Sequence, residues 1–240
     1  MPADMHIHSE RSADTAAVSQ LHTAAFADDG LVSRLVDALK AAPAALAPLS
    51  FVATVGGTVA GHVLLTASRL DAPARLVDVY VLSPLGVLPR FQRRGVGTAL
   101  IRHALAAAAA KGLAPLVFLE GDPAYYGGRG FERADARGFR APSLRIPPLA
   151  FQVATMPSYE PWMTGTLVYS DPFWAHDCVG LRSPLLLRVP RCPHPPHLLR
   201  AGPTLHTLLI SHSNLICRLG LEHLPPRTPA ASASNTTPSS

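Results

Sequence analysis

Residues 76–119 constrain this chain more than any other stretch. Leu76 to Val87 is a long apolar run of strand character, broken only by Pro84. A short basic turn follows, Gln92-Arg93-Arg94-Gly95-Val96-Gly97, and Thr98 to Lys111 is then built from strong helix formers and ended by Gly112. Leu100, Ile101, Ala104, Leu105 and Ala108 make one apolar stripe on that helix, the face a sheet would bury. Pro115 to Leu119 reads as a short buried strand. Strand, turn, helix and strand form a βαβ unit, which presents the helix N-terminus at the carboxyl end of the first strand.

That placement has a chemical consequence. A helix N-terminus carries roughly half a positive charge and several unpaired N–H donors, so it suits a phosphate or pyrophosphate. Arg93 and Arg94 add full charges, while Gly95 and Gly97 let a ligand approach the main chain without a Cβ in the way. A Walker-type loop is excluded, because Thr98-Ala99 follows Gly97 where Lys and Ser or Thr are needed. A dinucleotide fingerprint needs a third glycine, although Glu120 stands at a suitable distance for its acidic residue. A nucleotide-phosphate binder that prefers ATP or NAD remains a weaker rival on these residues. The pattern that fits best is Gln/Arg-x-x-Gly-x-Gly/Ala.

Downstream, Gly121-Asp-Pro-Ala-Tyr-Tyr-Gly-Gly-Arg-Gly-Phe131 places Tyr125-Tyr126 and Gly130-Phe131 at a fixed spacing. Together the loop and the tyrosine pair resemble the GNAT superfamily of N-acetyltransferases. Leu82-Ser-Pro-Leu-Gly-Val-Leu-Pro-Arg-Phe-Gln92, Ser158 to Tyr169 and Asp171 to Arg182 are similar to one bacterial subgroup of that superfamily, so the resemblance spans about residues 5–182. It implies an α/β acyltransferase fold, with a mixed central sheet flanked by helices, and direct transfer of an acetyl group from acetyl-CoA to a primary amine on a small molecule or protein. Gln92, Arg93, Arg94, Gly95, Val96, Gly97 and Thr98 would cradle the pyrophosphate. Val87 and its neighbours would meet the pantetheine arm and the thioester carbonyl through backbone groups beyond a bulge. Tyr126 would protonate the departing thiolate as general acid. The Asn and Ala that often precede the tyrosine pair are replaced by Leu119 and Asp122. A module that binds acyl-CoA without catalysis is the alternative from another class.

The front half fits the same fold on its own signals. His6 to Glu10 alternates like a first strand, Ala13 to Phe26 and Leu31 to Leu39 read as amphipathic helices, and Ser50–Val55 with Val59–Leu65 makes a hairpin around Gly56-Gly57. Pro84 cannot donate to a sheet ladder, so the strand containing it is expected at an edge or bulged there. For the base that would deprotonate an acceptor amine, Glu120 is the candidate, since it ends a strand where such sheets make ligand sites. His22 and His62 are also possible but read more simply as surface or satisfied residues. Asp78 falls on the wrong face by alternation.

Charge and composition locate the remaining expectations. The chain has 240 residues, a net charge of +5 and 48 % hydrophobic residues, enough for one core. Residues 1–182 hold 16 Lys and Arg against 15 Asp and Glu; residues 183–240 hold five Arg against one Glu. The basicity thus lies in the tail and forms no basic face interleaved with aromatics, which argues against nucleic acid. Ten of the 58 residues from 183 to 240 are proline, and that segment is expected to be disordered and foreign to the domain at 1–182. The polar start and the lack of a long apolar run set the expectation of a cytoplasmic protein without membrane contact. Cys178, Cys192 and Cys217 match neither a metal pattern nor a disulfide framework, and no metal is expected. Cys178 has no histidine motif beside it to make it a nucleophile. Association as a homodimer is left open.

Overall fold

Two glycines set the first tight turn. Gly56 and Gly57 take φ angles of 54° and 74°, which only a residue without a Cβ adopts freely, and they close a hairpin whose arms are mostly buried, as suits strands covered on both faces. The computed structural model describes residue 2 and residues 4–180; the segment 183–240 expected to be disordered lies outside the described residues. In chain order the elements are β1 (Met5–Ser9), α1 (Thr15–Phe26), α2 (Leu31–Ala41), β2 (Leu49–Val55), β3 (Thr58–Asp71), β4 (Leu76–Val87), α3 (Val96–Lys111), β5 (Leu116–Glu120) and the single turn α4 (Pro123–Tyr126). After them come β6 (Glu132–Arg133), β7 (Phe139–Arg140), β8 (Phe151–Thr155), β9 (Gly165–Val168) and α5 (Asp171–Ala175).

The strands form one mixed sheet in the order β1-β2-β3-β4-β5-β8-β6, with β9 paired to the far end of β3 and to β7. β4 and β5 are parallel, as the βαβ unit demands, and β1 to β4 are successive antiparallel neighbours. The expected irregularity at Pro84 is a bulge. Val63 pairs with Leu85 and Leu65 with Leu82, so two steps along β3 oppose three along β4. Pro84 sits inside that extra residue, where its missing N–H breaks no ladder bond.

A second irregularity opens the sheet. β4 meets β5 only at Tyr80–Val117 and Val81–Phe118, although β4 runs on to Val87 and β5 to Glu120. The strands therefore diverge from the bulge onward. Among the described residues no ladder pairing with β5 continues along β4 from Leu82 to Val87, which leaves a wedge that ends at the loop before α3.

Helices cover both faces. α3 buries Leu100, Ile101, Ala104 and Ala108 on one face, against Val63, Leu65, Leu82, Leu85, Val117 and Leu119. Leu105 is half-buried at the edge of the same stripe. Burying a side chain such as Leu100 fully contributes about 2 kcal/mol. The other face is covered by α1, α2 and α5, and Leu35, Val36, Leu39 and Phe173 pack there with Leu64, Val79, Val81 and Phe118. Tyr159 to Met163 wedges into that second core: Met163 is buried and Trp162 leans on it with the Arg75 guanidinium 5.3 Å from its ring centre. Trp174 is part-exposed, and its indole N–H donates to the Tyr169 carbonyl at 3.3 Å.

Candidate functional site

The loop between β4 and α3 is built around two left-handed residues. Arg93 has φ 58° and Gly95 φ 85°, and Gly95 is the N-cap of α3 with no side chain capping the helix. The first N–H groups of a 16-residue helix thus lack a side-chain partner, and the helix dipole adds its positive end there. Arg93 and Arg94 are exposed beside this end, and Thr98 is half-exposed in the first turn. Val96 and Gly97 are buried, so what they offer a ligand is main chain. Gln92 serves the loop itself. Its side-chain amide donates to the Val87 carbonyl at 3.1 Å and ties the loop to the end of β4. The Val87 side chain is buried in the α3-side core, which leaves only its backbone for contact with a ligand.

Tyr126 ends the one-turn helix that follows β5. Asp122 starts that turn by accepting the Ala124 N–H at 2.9 Å, a standard N-cap that explains why Asp serves at this position. The Tyr126 ring is 1 % exposed and packs edge-on against Tyr125 and Phe131, with ring centres 4.9 and 5.8 Å away. A Cβ on Gly121 would collide with this ring. Gly121 is itself fixed, donating to the Ala150 carbonyl at 2.9 Å and accepting from Gln152 Nε2 at 3.0 Å. Tyr126 belongs to the same core as Leu119, Leu85 and Val87, on the α3 side of the sheet.

Glu120 lies on the other side. Leu116 and Phe118 belong to the core under α2 and α5, and Glu120 continues their alternation. Its carboxyl is 6 % exposed; Oε1 accepts the Tyr169 hydroxyl at 2.8 Å and Oε2 the Gly180 N–H at 3.1 Å. Burial pushes the Glu120 carboxyl up to about 7, against the opposing pull of those two hydrogen bonds and of Arg145. Tyr169, wholly buried beside the carboxylate, is held well above the usual phenol range, first by burial and then by the Glu120 charge. Tyr169 and Gly180 were invisible as partners in the sequence, being 49 and 60 residues away from Glu120.

His22 and His62 are not surface residues; of the two simpler readings of the sequence, a surface or a satisfied residue, the structure bears out the second for His62, whose two ring nitrogens both have partners. Both are fully buried on the α1 face, with His22 Nε2 2.8 Å from His62 Nδ1. His62 Nε2 faces Glu10 Oε2 at 3.2 Å and Ser50 Oγ at 2.8 Å, Ser50 also donates to Glu10, and Lys40 donates to the same carboxylate at 2.6 Å. A carboxylate only accepts, so His62 carries its proton on Nε2 and takes one from His22 on Nδ1. His22 Nδ1 is then a bare, unpartnered lone pair, and a Cβ on Gly86 would stand 2.8 Å from it. Burial depresses both imidazoles, which keeps them neutral at pH 7. For Glu10 burial is outweighed by its three donors, which hold it well below the usual carboxylate range. This chain of groups fastens α1 and α2 to the sheet. Of the buried candidate bases only the Glu120 carboxyl is pushed up, to about 7.

The remaining candidates separate clearly. Asp78 is on the surface, 3.9 Å from Arg69. Burial, with help from Asp177, Asp28 and Glu120, pushes the Cys178 thiol up to about 12, so it is a thiol and a poor nucleophile. Among the described residues no group of three or more His, Cys, Asp and Glu is placed to hold a metal ion, and no helix is long and apolar enough to cross a membrane.

A mixed sheet that parts after a bulge, with a basic uncapped helix end beyond it, is the arrangement that the resemblance to acyltransferases implied. The profile of the acetyltransferase (GNAT) family matches residues 16–131. The uncharacterized N-acetyltransferase YjhQ of Escherichia coli (strain K12) is 32 % identical over 139 residues, 56 % of this chain and 74 % of that one. Among solved structures, the GNAT family N-acetyltransferase YhbS of Escherichia coli in complex with CoA superposes with a TM-score of 0.61 at 25 % identity, covering 72 % of this chain and 94 % of the other. A GNAT family acetyltransferase from Brucella melitensis in complex with acetyl-CoA gives 0.56 at 32 % identity, covering 70 % and 97 %. The chain belongs to the GNAT family of acetyltransferases, and is an acyltransferase.

Proposed function

We propose that this enzyme transfers an acetyl group from acetyl-CoA to a primary amine by direct attack. The observation that carries the reading is the uncapped, arginine-flanked N-terminus of α3 at the open end of the β4–β5 wedge. The pyrophosphate is received by the N–H groups of Gly95 to Thr98, with Arg93 and Arg94 beside them. The pantetheine arm enters the wedge, where the backbone of β4 beyond its pairing with β5 offers hydrogen bonds to it and to the thioester carbonyl.

The two faces of the sheet then divide the chemistry. The neutral amine attacks the thioester carbon, the C–N bond forms, and the tetrahedral intermediate expels sulfur. Tyr126, on the α3 side, gives its phenolic proton to the departing thiolate; a phenol with an ordinary value near 10 is well matched to a thiol near 8.5. Glu120, on the opposite side, takes the proton that the new amide nitrogen must lose, through a water molecule, and its value near 7 leaves much of it ionised at neutral pH.

The test is turnover with acetyl-CoA across a panel of primary amines, with release of the CoA thiol as the signal. Tyr126→Phe should lower kcat by about a hundredfold while leaving acetyl-CoA affinity within about twofold. Equal kcat for the two proteins would remove Tyr126 from the mechanism.

A further inference from the structure

Arg129 occupies a position that its own fold does not explain. It lies in the short turn Gly127–Arg129 after α4, and its side chain reaches back to the start of α3. Nε donates to Thr98 Oγ1 at 2.8 Å, one terminal nitrogen donates to the Tyr125 carbonyl, and the guanidinium carbon stands 3.9 Å above the centre of the Tyr125 ring. One side chain thus joins the first turn of α3 to the helix that bears Tyr126.

The electrostatics of this position are unfavourable as it stands. Among the described residues no carboxylate pairs with Arg129, and Nη2 has no hydrogen-bond partner. A full positive charge is held at the positive end of a 16-residue helix dipole, in the company of Arg93 and Arg94. Stacking on an aromatic ring offsets only part of that, on the order of 1 kcal/mol. A guanidinium held at an uncapped helix end, in a loop that also carries Arg93 and Arg94, becomes favourable once an anion sits beside it. Thr98 Oγ1 accepts from Arg129, which leaves its hydroxyl proton available for another acceptor.

We infer that Arg129 is a third cation for the pyrophosphate of the acyl donor, held in place by Thr98 and Tyr125 so that its free edge meets the anion at the α3 N-terminus. The inference rests on the acyl-CoA reading of this loop. A guanidinium suits this position because the planar fork can bond Thr98, Tyr125 and an oxyanion at once, whereas an ammonium has neither the reach in three directions nor the flat face for Tyr125. The same bonds tie donor binding to the seat of Tyr125 and Tyr126, so a bound pyrophosphate steadies the catalytic turn.

The experiment is equilibrium binding to the full chain of three probes: CoA, 3′-dephospho-CoA and phosphate-free pantetheine. It compares wild type with Arg129→Gln and Arg129→Lys, each first checked for a native thermal transition. Arg129→Gln should weaken CoA and 3′-dephospho-CoA about tenfold and leave pantetheine within about twofold, and Arg129→Lys should recover part of the loss. Equal weakening of all three probes would mean that Arg129 only supports the fold, and no weakening would mean that it does not touch the donor; either result overturns the inference. Sensitivity confined to CoA would move the contact to the 3′-phosphate and overturn the pyrophosphate assignment. Failure of the loop reading looks different, because wild type itself would then fail to distinguish CoA from pantetheine.

Discussion

The two faces of the sheet are built on opposite plans. Under α3 the buried side chains are almost all aliphatic or aromatic, and the one buried amide, Gln152, serves to hold the Gly121 carbonyl. Under α1, α2 and α5 the sheet carries His62, Thr66, Ser68 and Glu120, with His22 of α1 laid on them, and the side-chain oxygens of Thr66 and Ser170 and Nδ1 of His22 are buried with no hydrogen-bond partner among the described residues. A donor that is always the same molecule can be gripped by main chain and a helix end, which require no particular side chains beyond glycine. The two faces thus differ in kind, with apolar packing under α3 and, on the other side, a hydrogen-bonded polar network beside a carboxyl pushed up to about 7.

Four substitutions put that difference to the test. Leu100→Ala should have the largest effect, lowering stability by about 4 kcal/mol through the cavity left under α3, with an unchanged dependence on pH. Urea denaturation at several pH values measures both. Glu120→Gln probes the other face. The folded carboxyl keeps its proton up to about pH 7 and the unfolded one only to about 4.5, so between those values the folded state binds the extra proton. The Glu120 contribution to stability therefore falls as pH rises through that window, by on the order of 3 kcal/mol, and levels off above it. Buried His22 and His62, with their depressed imidazoles, add an opposite slope up to about pH 6.5 that the glutamine variant keeps, so the measured quantity is the difference between the two curves, and a difference constant with pH would contradict the buried-carboxyl account. Gly86→Ala comes next, at about 2 kcal/mol, because the new methyl meets His22 Nδ1 and Leu21 Cδ2, each at 2.8 Å. Thermal unfolding would register it. Asp135→Asn, which removes the exposed pair with Arg133, should leave the melting temperature unchanged.

The same contrast decides what could be read from the amino-acid sequence. The donor face is local. Strand, loop and helix run without interruption from Leu76 to Lys111, and the spacing of glycine and arginine within them encodes the helix end directly. The bulge at Pro84 was legible for the same reason, since one residue type forbids one hydrogen bond. The polar face is assembled from distant positions. His22 and His62 are 40 residues apart, and each looked like an isolated histidine until α1 was laid on β3. Glu120 could be nominated from its place at a strand end, but the burial that shifts its titration depends on Tyr169 and Gly180, whose approach no local pattern announces. Arg129 was hidden in a glycine-rich turn, and its reach to Thr98 follows only from the packing of the Gly127–Arg129 turn beside α3.

The hydrogen bond from Gly180 to Glu120 has a mechanical side. Gly180 is folded into a left-handed turn at φ 62°, and a Cβ there would stand 2.7 Å from the Arg145 backbone. Backbone at this point is thus threaded through a narrow fit and knotted to the carboxyl that titrates near neutrality. Tension that reached Gly180 would bear directly on that hydrogen bond. The protein would register the pull as a change in how tightly one buried group holds its proton.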